Sequence, residues 1–144
     1  MQDYKNITDL IVNLSNDPFN PVLSLRIASE YHRMGQTASA VSFYLRTAEY
    51  GYYTHGEYVN ASLLKSAQCF ENQKGREHTV RNLMEKAIAY SPKRPEAWFL
   101  LSRWYERNQK WQESYTAAEV GIQNLPSIFF PLPIDVDYAG DFRS

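Results

Sequence analysis

The segment PEAWFLLSRWYERNQKWQESYTAAEVGIQNLP, residues 95–126, carries the clearest pattern in this 144-residue chain. Its first half places Trp98, Leu101 and Tyr105 at intervals of three and four residues, which puts their side chains on one face of an α-helix. A polar turn at residues 108–110 follows, and apolar residues then recur at helical spacing up to Leu125. The segment therefore predicts two helices joined by a short turn.

The same two-helix unit recurs upstream, so that the predicted helical hairpins span about residues 21–50, 54–90 and 95–125. Asn20 and Pro21 are typical of a helix start. An Asn side chain accepts hydrogen bonds from the free backbone N–H groups of the first turn, and proline lacks a backbone N–H at the first helical position, where that group has no partner inside the helix. Thr54-x-x-Glu57 predicts a capping box for the second hairpin. An N-terminal helix precedes the hairpins, because apolar residues follow helical spacing between residues 7 and 14.

Small residues stand at equivalent places in the three hairpins, at Ala28, Ala67 and Ser102, where two helices approach closely. The third hairpin resembles the tetratricopeptide repeat (TPR) through this pattern: Trp98-x-x-Leu101-Ser102-x-x-Tyr105, then Ser114-x-x-x-Ala118 and Pro126. The resemblance implies an all-α fold, a right-handed α-α superhelix of about three TPR-like helical hairpins with an N-terminal helix and an extended C-terminal tail. Residues 1–126 form the predicted helical repeat domain, and residues 127–144 form a proline- and aromatic-rich tail.

A narrower resemblance points to the repeat region that follows the catalytic domain in bacterial and phage family 2 glycosyltransferases. It is carried by Asn20-Pro21, Ile27-Ala28-x-x-Tyr31-x-x-x-Gly35, Ala40-x-x-x-Tyr44, Gly51-x-x-x-x-Gly56-Glu57-x-Val59, Ser91-Pro92-x-Arg94-Pro95-Glu96-Ala97 and Asp135-Val136-Asp137-Tyr138. It implies an accessory C-terminal domain of an enzyme acting on polysaccharide or glycoconjugate. Catalysis would lie elsewhere, because Asp135-Val136-Asp137 follows prolines rather than a strand edge.

Composition excludes several classes of function. The chain has 15 Lys and Arg against 16 Asp and Glu, and a formal charge of −1 does not favour nucleic acid. No apolar run approaches the length of about 18 residues that spans a bilayer, so no membrane association is expected. The single cysteine, Cys69, permits a reducing, cytoplasmic compartment, and the three histidines lack neighbours at metal-ligand spacing. No enzyme motif, cofactor site or metal site is predicted.

A partner-binding groove is the leading functional hypothesis, because the first helix of each hairpin lines the concave face of a repeat array. The register assigns the following residues to it: Leu25, Ser29, His32, Arg33, Leu64, Gln68, Asn72, Phe99, Arg103 and Arg107. This mixture of apolar, amide and charged groups suits an extended protein or peptide partner. A plain solvated face is the alternative. A clamp for a terminal carboxylate is disfavoured, because Leu25 and Ser29 stand where that TPR clamp has lysine and asparagine.

Two further features leave alternatives open. Tyrosines cluster between residues 44 and 58, where they either fill the space of a long linker or stack on sugars or bases. The tail is apolar but rich in proline, so it shields the last hairpin, begins a further repeat or forms a homodimer surface.

Overall fold

The computed structural model describes residues 2–126 and 132–134. Every element in this part of the chain is an α-helix. The helices are α1 (Gln2–Asn16), α2 (Pro21–Arg33), α3 (Thr37–Tyr50), α4 (Gly56–Phe70), α5 (Glu77–Tyr90), α6 (Pro95–Arg107) and α7 (Trp111–Gln123). The predicted all-α fold is confirmed.

The helices pack as three antiparallel pairs preceded by α1. The pairs are α2 with α3, α4 with α5, and α6 with α7, while α3 contacts α4 and α5 contacts α6 to link one pair to the next. The first helices of consecutive pairs, α2 and α4, also contact each other. This arrangement is a TPR-like α-α superhelix, and it brings α2 and α4 side by side along one face.

The predicted cap at Asn20 is confirmed. Its side-chain Oδ1 accepts hydrogen bonds from the backbone N–H groups of Val22 at 2.9 Å and Leu23 at 3.1 Å, and Pro21 is the first residue of α2. Such a cap contributes about 1 kcal/mol, because it satisfies donors that have no partner inside the helix.

The predicted capping box at Thr54 is wrong. The chain turns over residues 51–54 and α4 begins at Gly56, with His55 at the cap position and no side-chain cap bond. The hydroxyl of Thr54 lies 2.7 Å from Nδ1 of His55, so its hydrogen-bonding capacity is used inside the turn.

The small residues at the three equivalent repeat positions are buried in the helix packing, as the repeat pattern predicts. Ala28 and Ala67 are fully buried, and Ser102 is almost so. Ser102 Oγ donates to the Ser114 carbonyl at 2.7 Å, and Ser114 Oγ donates to the Ser102 carbonyl at 2.9 Å. These reciprocal bonds join α6 to α7 at the point where a larger side chain would separate them.

Replacing Ala67 by leucine is expected to lower the free energy of unfolding by about 1–3 kcal/mol, because added methyl groups must displace a packed core. Ala67 belongs to the main core cluster formed by α4, α5 and α6. Urea denaturation followed by circular dichroism measures the loss. Ala38→Leu is the matched control, because Ala38 is exposed on α3. An equal effect of the two substitutions would contradict the tight packing at residue 67.

Candidate functional site

Two clefts lie beside α2, and the wall of each includes a residue of α4; this region is here called the α2–α4 groove. The first cleft has a volume of about 480 Å³ and lies mainly between α1 and α2. The second has a volume of about 300 Å³ and is lined by Ser29, His32, Arg33, Tyr44, Lys65 and Ile134. Ser29 and Ile134 line both clefts, so the two adjoin at these residues.

Charge differs between the two clefts. The wall of the first cleft includes the carboxylates of Asp9 and Glu30 as well as the guanidinium of Arg26. The described wall of the second cleft includes Arg33 and Lys65 but no carboxylate. Glu30 lies 2.7 Å from Arg33, on the exposed side of α2. The second cleft is therefore the more cationic of the two.

A polar network forms the floor of the second cleft. The Nδ1 atom of His32 lies 3.1 Å from the Tyr44 hydroxyl, and the Nε2 atom of His32 lies 3.8 Å from Cys69 Sγ. These contacts join α2, α3 and α4 through a single imidazole ring. The His32 and Tyr44 rings meet edge to face, with centroids 5.9 Å apart, so the two side chains are in packing contact as well.

Burial keeps this floor uncharged at neutral pH. It lowers the pKa of His32 below 6.5, and the nearby Lys65 ammonium lowers that pKa further. It raises the pKa of the Cys69 thiol to about 11 and the pKa of Tyr44 to about 12. Cys69 is therefore a protonated, weakly nucleophilic thiol near pH 7. His32 and Tyr44 therefore offer uncharged polar contacts, while the positive charge of the second cleft comes from Lys65 and from Arg33, which is paired with Glu30.

The C-terminal tail enters this groove at residues 132–134. Leu132 packs against the core cluster of α4, α5 and α6, and Ile134 packs against a second cluster that includes Leu25, Ala28 and Tyr44. Leu132 and Ile134, which are two positions apart in the sequence, thus contact different core clusters. The groove therefore already accommodates a short length of non-helical, apolar chain.

The predicted groove residues divide by exposure. Arg33, Asn72 and Arg107 are exposed, Ser29, His32 and Gln68 are half-buried, and Leu25, Leu64, Phe99 and Arg103 are buried. The structure brings Leu25, Ser29, His32 and Arg33 together in the two clefts. Their role in binding a partner stays a prediction.

The α6 members of the predicted set belong to a different environment. Phe99 is buried beside Gly121 of α7. Arg103 and Arg107 reach the carboxylate of Glu71, at 3.1 Å and 3.5 Å. These three residues are therefore engaged in ion pairs and packing around α6.

Sequence reasoning did not assign Lys65, Tyr44 or Ile134 to the groove. Lys65 follows the predicted Leu64 and precedes Gln68 by one helical turn, so a wider arc of α4 would have included it. Tyr44 belongs to α3, the second helix of its pair, yet its hydroxyl reaches His32. Ile134 enters through tertiary folding of the tail, for which the sequence offers no local signal.

The tyrosines between residues 44 and 58 differ in their packing. Tyr44 is buried against His32, and the edge of Tyr52 packs against Tyr90 with ring centroids 4.9 Å apart. The Tyr90 hydroxyl donates a short hydrogen bond to the Tyr52 carbonyl. Tyr53 remains 93% exposed. These contacts favour the packing interpretation for Tyr44 and Tyr52.

The predicted shielding of the last hairpin stays a prediction, with Leu132 packed against the cluster that includes α6 of that hairpin. Ile134 lies in the α2–α4 groove, while four large apolar side chains of the last hairpin stay exposed: Trp111, Tyr115, Ile122 and Leu125. The predictions about tail residues 127–131 and 135–144 lie outside the described residues.

Within 2–126 and 132–134, no three His, Cys, Asp or Glu side chains are grouped so that they could hold a metal ion. None of the helices in the same part of the chain combines the length and the apolar character needed to cross a bilayer.

Comparisons with known proteins give a distant structural likeness. No family model matches the chain, and no curated protein matches it. Among solved structures, the crystal structure of MamA resembles it with a TM-score of 0.44 at 16% sequence identity, over 84% of this chain and 87% of that chain. Nothing about the site of this chain follows from that likeness. The relation to family 2 glycosyltransferases stays a prediction from sequence.

Proposed function

We propose that this chain is a non-catalytic scaffold that binds an extended segment of a protein or peptide partner in the α2–α4 groove. The observation that carries the proposal is the position of Ile134, which packs in the groove between two open clefts. A surface that holds one non-helical apolar segment has the shape and chemistry for another. The two clefts provide room for side chains on both sides of that contact.

The groove chemistry supports a peptide ligand in particular. Aliphatic side chains of such a ligand would pack beside Leu25, while its backbone amides would meet uncharged polar groups such as Ser29 and His32. The scaffold needs no cofactor for this role. A cytoplasmic location, the absence of nucleic-acid and membrane partners, and a homodimer through the tail stay predictions from sequence.

Selection from a random peptide library tests the proposed function. The wild-type chain is immobilised and panned against 12-residue peptides displayed in many copies on phage, because multivalent display retains ligands of weak affinity. Selected peptides are then synthesised and titrated against the wild-type chain and against Lys65→Glu. We expect the charge reversal to weaken binding about 5- to 10-fold, because Lys65 lines the second cleft.

Lys86→Glu is the matched control. It makes the same change in charge at an exposed site of α5, where Lys86 lines a separate cleft between α3 and α5. Its peptide affinity is expected to stay within about twofold of wild type. Failure to select any peptide, or equal losses in the two variants, would contradict binding in the α2–α4 groove.

A further inference from the structure

We propose that Leu132, Pro133 and Ile134 act as an internal ligand of the α2–α4 groove. A partner segment of the same chemistry then displaces them: a proline followed by a branched aliphatic residue and then by carboxylates. This inference rests on the proposed function, because it names the ligand class of the same site. It also makes the tail a competitor that sets the affinity of the groove.

The aliphatic requirement follows from the contacts of Ile134. Its side chain is half-buried against a cluster that contains Leu25, Ala28, Ala40 and Tyr44. Because these packing neighbours are apolar side chains and the Tyr44 ring, a carboxylate placed at this position would lose hydration against an apolar surface. A branched aliphatic side chain fills the position without that cost.

The proline requirement follows from the non-helical backbone of this segment. Pro133 lines the first cleft next to Ile134 and is itself exposed. A proline fixes its own φ angle and biases the preceding residue, here Leu132, towards extended conformations. A segment restricted in this way loses less conformational entropy when it enters the groove. The same advantage applies to any partner segment with proline at this position.

The acidic requirement follows from the charge of the second cleft. Arg33 and Lys65 line that cleft together with Ile134, and its described wall has no carboxylate. In the sequence, Asp135 directly follows Ile134, and Asp137 follows two residues later. A ligand that continues from the aliphatic position with acidic residues therefore complements the more cationic of the two clefts.

An attached ligand competes strongly because of its high local concentration. A ligand attached to the same chain as its site can reach an effective concentration of the order of millimolar, so a free peptide must overcome the tail before it binds. When the tail occupies the groove in most molecules, the apparent affinity for a partner is the intrinsic affinity multiplied by the fraction of molecules whose groove is open. Release of the tail is therefore expected to strengthen the binding of an added peptide.

The test uses a fluorescein-labelled peptide, FPLPIDVD, which corresponds to residues 130–137. Fluorescence polarisation measures its affinity for the full wild-type chain and for the full chain with Ile134→Asp. We expect the variant to bind the peptide about 10 to 100 times more tightly, because its own tail no longer competes. A peptide with aspartate in place of the isoleucine is expected to lose binding to both chains.

Second-site variants locate the peptide. In the Ile134→Asp chain, adding Lys65→Glu is expected to weaken binding about 5- to 10-fold, while adding Lys86→Glu leaves it within about twofold. Circular dichroism checks the fold of each chain, and Ile134→Ala replaces Ile134→Asp if the latter fails to fold.

Three outcomes would overturn the inference. Equal peptide affinities of the wild-type and Ile134→Asp chains would show that the tail does not compete. No binding to either chain would exclude the proposed ligand chemistry, while peptides selected from the random library would still test the scaffold function. A wild-type dimer that Ile134→Asp dissociates in analytical ultracentrifugation would show that the tail occupies the groove of a second copy instead.

Discussion

Phe99→Ala is expected to lower the free energy of unfolding by about 3–5 kcal/mol, because it removes a buried aromatic ring and leaves a cavity. The Phe99 side chain is only 5% exposed and lies against Gly121 of α7. A β-carbon built on Gly121 would lie 2.8 Å from Cε1 of Phe99, so the ring occupies the space that the glycine leaves open. The ring therefore helps to hold α6 against α7.

Urea denaturation of Phe99→Ala and of Tyr53→Ala measures this loss against a control. Tyr53 is 93% exposed, and its truncation is expected to change stability by no more than about 0.5 kcal/mol. Gly121→Ala provides a second measurement, because its added methyl group must move the Phe99 ring. In the Phe99→Leu background, Gly121→Ala is expected to lower the free energy of unfolding by less. Identical costs of Gly121→Ala in both backgrounds would contradict direct contact between residues 99 and 121.

The helix starts and close contacts could be predicted from sequence because their causes are local. The Asn20 side chain reaches backbone groups two and three residues away, so the Asn-Pro pair was sufficient to place the start of α2. Ala28, Ala67 and Ser102 could be placed by their repeat positions. Thr54 shows the limit of this reasoning, because the geometry of the turn directs its hydroxyl to the adjacent His55 ring.

The site could be predicted only in part, because a helical face does not reveal what covers it. The repeat register gave Phe99 and Arg103 the same concave position as Ser29 and His32. Gly121 in the facing helix allows the Phe99 ring to be buried, and Glu71 from the previous pair engages Arg103. Both causes lie more than 20 residues away in sequence.

Glu71→Ala is expected to lower the free energy of unfolding by about 3 kcal/mol, because it removes the carboxylate that faces a buried guanidinium. Arg103 Nη2 lies 3.1 Å from Oε1 and 3.3 Å from Oε2 of Glu71, and Arg107 Nη1 lies 3.5 Å from Oε2. The Arg103 and Glu71 side chains are 11% and 13% exposed, so water replaces this partner poorly. Thermal and urea denaturation measure the effect.

Glu106→Ala is the matched control, because Glu106 is an exposed carboxylate on α6 and its loss is expected to cost less than about 0.5 kcal/mol. The double substitution Glu71→Leu with Arg103→Met is expected to recover most of the stability lost in Glu71→Ala, because it removes both charges and their desolvation costs together. Equal stabilities of Glu71→Ala and Glu106→Ala would contradict a buried ion pair. Because Arg103 is paired inside the fold, its replacement tests the packing between helical pairs, whereas replacement of Lys65 tests the α2–α4 groove.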